Sequence, residues 1–498
     1  MSKKFMPRAV LLILISLAFL GGVFGKSLVG SENVARAGDV FSNFLPIINT
    51  PHLDTLFGAE MNPLSNSQGL QKMVDAKISW TRRNAILWSE VEPVQGGGYD
   101  WSVLEGLEAD ILRAQANHLE LIMIVRGVPE WARVAPLYNE CGPIDPAALP
   151  AFGDFMHAVV TRYSAYPYSV RYWEIWNEPD VAADVIPTGD SPYGCLGDSS
   201  DTTYYGGQAY AGILQAVYPR VKQANPDAQV LVGGLLMDCS PLIDAENCYQ
   251  SRYLEGILEA GGASYFDGVS FHAYDYYSFG QAEYQTGIYG NPGWGSGGWG
   301  DTLNGDLKPV LVEKVAYLKS LLDQYGVQGK YLLNTETALL CGGFTEPSGG
   351  PGCESDPNSN FEKLKATYVS QVYASALAEG LVSNIWFTPL GWRNSALLNT
   401  DFSPRPAYDA LVISRQTLQD GTFIREVHEY NDQNVFGYEF NVHGEVIWLL
   451  WTLDGKSHTI TLGQTPAEIF DEIGTSVTLN AGTLTVAGLK SYYLDWTP

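Results

Sequence analysis

From residue 53 to about residue 420 the chain repeats one unit: a short apolar run that reads as a strand, then an amphipathic stretch that reads as a helix. Strands are expected near Thr55–Ala59, Ile78–Asn84, Leu119–Val125, Arg171–Asn177, Gln229–Gly233, Gly268–His272, Tyr331–Thr335 and Ser383–Thr388. The clearest helices are Ala151–Ser164, Gln208–Ala224, Lys308–Tyr325 and Phe361–Glu379. Strands that alternate with helices lie parallel and are joined by right-handed crossovers. Eight such units predict a closed (β/α)8 barrel. From about Gln433 the rhythm changes to short strands and turns: Val435–Phe440, Val446–Thr452, the Asp454-Gly455 turn, His458–Leu462, Val477–Leu479 and Tyr492–Leu494. The expected fold class is therefore α/β, a (β/α)8 TIM barrel (53–420) followed by a small C-terminal antiparallel β-sandwich (421–498).

The N-terminus reads differently. Lys3, Lys4 and Arg8 precede an apolar run from Ala9 to Phe24, and Ala35-Arg36-Ala37 offers a small-residue cleavage site. That is the pattern of a secretory signal peptide over residues 1–37, with a linker at 38–52. The cleavage site lies far from the apolar run, which leaves an uncleaved anchor, and with it a membrane contact, as the alternative. Losing five basic residues and one acidic one with residues 1–37 moves the formal charge from −26 to −30. Such a surface repels nucleic acid and anionic lipid, and is indifferent to neutral substrates. Six cysteines in an exported chain suggest disulfides. Of 15 possible pairings, proximity in sequence favours Cys239–Cys248 and Cys341–Cys353, leaving Cys141 for Cys195.

Two strands end in a glutamate. Tyr172-Trp173-Glu174-Ile175-Trp176-Asn177-Glu178 stops at Pro179, which lacks a backbone N–H and closes the ladder. Tyr331-Leu332-Leu333-Asn334-Thr335-Glu336-Thr337 ends alike, three strands later. Taken alone, each is a solvated strand-end residue. Together, at the C-terminal lip of strands four and seven, they aim two carboxylates at one point. One carboxyl can protonate a leaving oxygen while the other stabilises an oxocarbenium-like transition state, which is the division that cleaving a glycosidic bond requires.

Trp176-Asn177-Glu178-Pro179 and Thr335-Glu336-Thr337 resemble the acid/base and nucleophile motifs of clan A glycoside hydrolases. The likeness extends to Trp80-Thr81-Arg82, Trp88-Ser89-Glu90-Val91-Glu92-Pro93, Pro129-Glu130-Trp131-Ala132, Phe271-His272-Ala273-Tyr274 and Pro404-Arg405-Pro406-Ala407-Tyr408. It covers residues 53–420 and, loosely, the C-terminal sandwich, and lies between family 5-like and family 39-like patterns. The resemblance implies a secreted, retaining β-glycoside hydrolase with no cofactor and no metal, acting on a β-linked glycan. It implies Glu178 as acid/base, Glu336 as nucleophile and Asn177 as the partner of a sugar 2-OH. Tyr274 would donate to Glu336, and Arg82 would lie beneath it, since a nearby cation lowers a carboxylate pKa. The chain has Arg82-Arg83 where the clan pattern has one arginine, so Arg83 is the alternative. His272 is either a site residue or a buried structural histidine.

Glycine occupies nearly every other position of residues 287–300, after strand six, around Trp294 and Trp299. These indoles either stack on sugar, with Trp392 on the opposite wall, or anchor the loop to the barrel. Asp356, Asn358 and Asn360 alternate like a calcium loop but lack its glycine and its terminal glutamate. A non-catalytic carbohydrate-binding protein on the same barrel, and a transglycosylase, are the alternative functions.

Overall fold

The computed structural model describes residues 56–134, 139–186, 191–278, 306–341, 356 and 358–497, with the backbone of 293–295. Residues 1–52 (the expected leader and linker), Cys353, Trp299 and the side chain of Trp294 lie outside the described residues. Among the described residues no helix is long and apolar enough to cross a membrane.

Eight parallel strands form the barrel: β1 Phe57–Ala59, β2 Trp80–Leu87, β3 Glu120–Arg126, β4 Tyr172–Asn177, β5 Gln229–Leu235, β6 Gly268–Ser278, β7 Tyr331–Cys341 and β8 Ser383–Trp386. They are ordered β5-β4-β3-β2-β1-β8-β7-β6, and a β5–β6 pairing closes the ring. A helix follows each strand: α1 Leu70–Asp75, α2 Glu105–Ala116, α3 Leu149–Tyr163, α4 Gly207–Ala224, α5 Tyr253–Glu259, α6 Leu311–Gln324, α7 Asn360–Ala378 and α8 Pro406–Leu418. Trp80, Ile122, Tyr172, Leu231, Leu333 and Ile385 fill the barrel interior as an apolar plug. Burying each of these stabilises the fold by about 1.5–3 kcal/mol.

β6 and β7 run longer than expected. They stay paired from Gly268↔Tyr331 to Tyr277↔Cys341, and Gly293–Gly295 adds an antiparallel strand to Tyr276–Ser278. This ribbon extends one side of the mouth. β8 ends at Trp386, before the expected Thr388, because the Gly391 N–H bonds back to the Thr388 carbonyl and turns the chain.

The C-terminal strands are β9 Thr422–Glu426, β10 Val435–Val442, β11 Glu445–Thr452, β12 His458–Thr461, β13 Glu468–Asp471, β14 Thr483–Val486 and β15 Ser491–Asp495. They form a five-stranded sheet (β9-β10-β11-β15-β13) and a two-stranded one (β12-β14), all antiparallel. Side chains alternate along these strands. Leu449, Trp451 and Tyr493 join the large core that includes the barrel helices, while Leu450, Tyr492 and Leu494 face the sandwich's own core. Polar ties add to that contact, from Trp451 Nε1 to the Leu307 carbonyl (2.9 Å) and from Tyr493 to Ser414 (2.9 Å). Val477–Leu479 is not a strand. Asp471 accepts the Thr475 amide (2.8 Å) in a turn that folds the chain back, leaving one isolated bridge, Phe470↔Ser476. Strands β9, β13 and β14 were not expected.

Candidate active site

β4 is buried along its whole length. Its ladder pairs Ile175 with Val232 and Asn177 with Gly234, and Trp176 between them takes φ +78°. A left-handed backbone costs a non-glycine residue about 1–2 kcal/mol. Local bonds hold it in place. Tyr210 donates to the Ile175 carbonyl (2.5 Å) and accepts from the Gly233 N–H (3.0 Å), and Trp176 Nε1 donates to the Gly194 carbonyl (2.9 Å). This turn of the backbone packs Trp176 against Phe152 and leaves Asn177 and Glu178 facing the barrel mouth. Glu178, at φ +48°, lies just past the strand, which ends at Asn177 as expected, and its N–H still reaches the Gly234 carbonyl (2.9 Å).

A second irregularity sets the opposite wall. The β6–β7 register passes from Phe271↔Asn334 to His272↔Glu336, so Thr335 is an extra residue and Glu336 comes level with His272. His272 Nδ1 lies 2.9 Å from Glu178 Oε1, and Nε2 lies 3.5 Å from Glu336 Oε1. The ring can cross β5 because Gly234 has no side chain; a Cβ there would stand 2.2 Å from Nε2. Burial holds the imidazole down to about 4, so the ring is neutral at ordinary pH. Burial also pushes the Glu178 carboxyl up to about 7, against the pull of Arg82 and Lys314.

Glu336 is held differently. Tyr274 donates to Oε2, and Arg82 Nη1 donates to Oε1. Burial and the Glu336 charge keep the Tyr274 hydroxyl protonated well above its ordinary range. Arg82 is 1% exposed and sits among carboxyls: Nη1 also donates to Glu60 (3.1 Å), and Nη2 to Glu174 (2.5 Å) and Asn177 (2.7 Å). Burial works against its charge, but Glu174, Glu336 and Glu60 hold its pKa well above the ordinary value. Arg83 points the other way, to Asp110 (2.8 Å) and Asn62.

The structure thus brings Asn177, Glu178, Arg82, His272, Tyr274 and Glu336 into one network. Trp392 adjoins it, half exposed, with its ring 6.1 Å from Tyr274 and 6.0 Å from Phe387. The Trp294 backbone pairs with Tyr277, so residues 293–295 join the ribbon beside the mouth. Glu60 and Glu174 went unnoticed in the sequence. The signal was available: a carboxylate inside an apolar strand, or just past one, needs a buried cation, and Arg82 is the arginine on the inward face of β2. Cys141–Cys195 and Cys239–Cys248 are both formed, with Cα atoms 5.4 and 5.7 Å apart. The first ties the loops after β3 and β4; the second closes the loop after β5 on itself. Cys341 is disulfide-bonded, and its expected partner Cys353 lies outside the described residues. The Asp356-Asn358 pair is a turn, Asp356 accepting the Asn358 N–H (2.9 Å), and it leads to Ser359, which caps α7.

One oxygen from each of Glu178 and Glu336 and one nitrogen of His272 lie within 4.8 Å of one another. A metal ion would fit that spacing, but both Glu336 oxygens already take donors and the adjacent guanidinium repels a second cation. The arrangement is better suited to acid–base chemistry: a neutral acid at Glu178 faces a carboxylate held by donors at Glu336.

The fold and this pair of facing glutamates define a (β/α)8 barrel built around two carboxyl groups. Its structural neighbours include glycoside hydrolases. A family 39 glycoside hydrolase from Bacteroides cellulosilyticus WH2 superposes with a TM-score of 0.61 at 19% identity, over 88% of this chain and 80% of that one. A GH30 endoxylanase from Clostridium papyrosolvens C71 gives 0.54 at 11%, over 91% and 98%. Wild-type BuGH86, in complex with neoagarooctaose, gives 0.54 at 12%, over 89% and 74%. No protein-family model and no curated relative matches the chain.

Proposed function

We propose that this protein is an exported, retaining β-glycoside hydrolase in which Glu178 is the acid/base and Glu336 the nucleophile. The observation that carries the reading is the spacing of the two carboxyls, whose nearest oxygens lie within 4.8 Å. Retaining enzymes hold the pair about 5–5.5 Å apart, whereas inverting ones need about 6.5–9.5 Å to admit a water. The environments divide the roles. Glu178, raised to about 7 by burial, keeps a proton to give. Glu336, between Arg82 and Tyr274, is oriented to attack.

In the first step Glu336 attacks the anomeric carbon and forms an ester, while the Glu178 proton passes to the departing oxygen. In the second step Glu178 takes a proton from water, the water oxygen attacks the anomeric carbon, and the ester bond breaks. The electron pair returns to Glu336. Asn177, whose Oδ1 is occupied by Arg82, retains its amide N–H face, bonded to the Pro192 carbonyl at 3.2 Å, for exchange with a sugar hydroxyl. The β configuration follows from the clan A resemblance. Two disulfides support export, with residues 1–37 as leader, 38–52 as linker, 53–420 as the catalytic barrel and 421–498 as the sandwich.

The test uses aryl β-glycosides and soluble β-glucans, xylans and mannans. A 2-fluoroglycoside should label Glu336, Glu336→Gln should abolish turnover, and the first product by NMR should keep the substrate's anomeric configuration. For substrates with poor leaving groups kcat/KM should fall above pH 7, because Glu178 must be protonated to act as acid. An inverted first product, or a label on another residue, would refute the assignment.

A further inference from the structure

Arg82 serves more carboxyls than its charge can balance. Glu60, Glu174 and Glu336 all bond to this one guanidinium, and they are 5%, 0% and 7% exposed. Three ionised carboxylates would leave two uncompensated negative charges in a buried cluster, and crowded carboxyls relieve such a charge by keeping a proton. Glu60 is the one placed to keep it. It follows β1 at the lip of the barrel, its contact with Arg82 is the longest of the three, and the nitrogen it meets, Nη1, is the one that holds Glu336.

We infer that Glu60 is a positioning residue that acts as a protonated carboxylic acid, leaving the Arg82 charge to Glu336, and that its ionisation withdraws that charge in the second half of the reaction. The inference rests on the retaining reading above. When water attacks the glycosyl-enzyme, the bond from the anomeric carbon to Glu336 breaks and the electron pair goes to the carboxylate. Arg82 Nη1 stabilises the charge that develops there. An ionised Glu60 competes for the same nitrogen and sets a second negative charge beside the departing one. The titratable groups around Glu60 are Arg82 on β2, Glu174 on β4, Tyr274 on β6 and Glu336 on β7. On the β8 side its N–H bonds to the Trp386 carbonyl (2.9 Å). Burial pushes Glu60 up to about 8, Arg82 acting against this.

A 2,4-dinitrophenyl β-glycoside isolates the step. Its leaving group departs without an acid, so hydrolysis of the glycosyl-enzyme limits kcat. In that step Glu178 is a base, and its ionisation raises the rate, so a fall at alkaline pH must come from another group. The glucoside, xyloside and mannoside are compared, and the fastest is followed from pH 5 to pH 10. The rate should fall about fivefold between pH 7 and pH 9, a roughly tenfold loss of protonated acid for a group at about 8 offset by a roughly twofold gain as Glu178, at about 7, ionises. In Glu60→Gln, scaled to its own maximum, that fall should disappear. Lys314, which burial lowers to about 8, is the competing explanation. A fall that survives in Glu60→Gln would belong to Lys314 and overturn the inference, and so would a wild-type profile with no fall. Intact mass of the enzyme under turnover separates the two readings. If no glycosyl-enzyme appears, the retaining mechanism fails; if it appears and the profile is insensitive to Glu60, only the inference fails.

Discussion

Gly234 is a position where one methyl group should reach the catalytic array directly. It lies on β5 under the His272 ring, and neither it nor Gly233 takes a positive φ, so alanine meets no backbone penalty there. The effect of Gly234→Ala is steric. The new Cβ would sit 2.2 Å from His272 Nε2, where ordinary contact begins at 3.4 Å. The ring must therefore retreat by about 1.2 Å, in a core as closely packed as an organic crystal. A displacement of that size is large enough to break the 2.9 Å contact between Nδ1 and Glu178. A misplacement of about 1 Å in a catalytic array can cost about 100-fold, and the overpacking itself about 1–3 kcal/mol of stability. The assay is kcat/KM across aryl β-glycosides of graded leaving-group acidity, with thermal unfolding in parallel. Loss should be about 10- to 100-fold for poor leaving groups and much smaller for dinitrophenyl, because only the former need the Glu178 proton. Equal losses across the series, or wild-type kinetics with an unchanged Tm, would refute the argument that His272 acts on Glu178 through its position.

The two adjacent arginines should behave oppositely. Arg82→Lys loses the planar fork that reaches four oxygens and should cut kcat/KM by about 100-fold, whereas Arg83→Lys, which alters the contact with Asp110, should change kinetics less than about threefold and stability by about 1 kcal/mol. Steady-state kinetics and urea unfolding of both variants check this. The Cys141–Cys195 bridge closes a loop with a sequence separation of 54, so replacing both cysteines by serine should destabilise the fold by about 4 kcal/mol on the chain-entropy account, measured by reversible denaturation.

Much of the barrel was legible because its signal is local. Each unit carries its own apolar run and its own amphipathic helix, and these periods are properties of consecutive residues. The pairs Cys239–Cys248 and Cys141–Cys195 followed from spacing and elimination alone. Val477–Leu479 shows the limit of such reasoning: its alternation suits a strand, but the Asp471 carboxylate turns the chain before a ladder forms. β9, β13 and β14 escaped notice because a short strand of four or five residues is defined by the neighbour it pairs with.

By itself, then, the sequence determined the α/β alternation and singled out Glu178 and Glu336; the expected strand-end placement holds for Glu178, just past β4, but Glu336 lies midway along β7, which continues to Cys341. Pro179, with no N–H to give to a ladder, bars any continuation of the strand past Glu178. Only the tertiary structure decided which arginine serves the site. Side chains alternate across a strand, so a one-residue change of register exchanges Arg82 for Arg83, and the closure of the barrel selects between them. The bulge at Thr335 is of the same kind, since it exists only relative to a partner strand. So is the gathering of Glu60, Glu174 and Glu336 on one guanidinium. These carboxyls lie on β4 and β7 and just past β1, 114 to 276 residues apart in a chain that says nothing of the distances between them. Contacts across a barrel arise from ring closure, a property of all eight strands at once and of none alone.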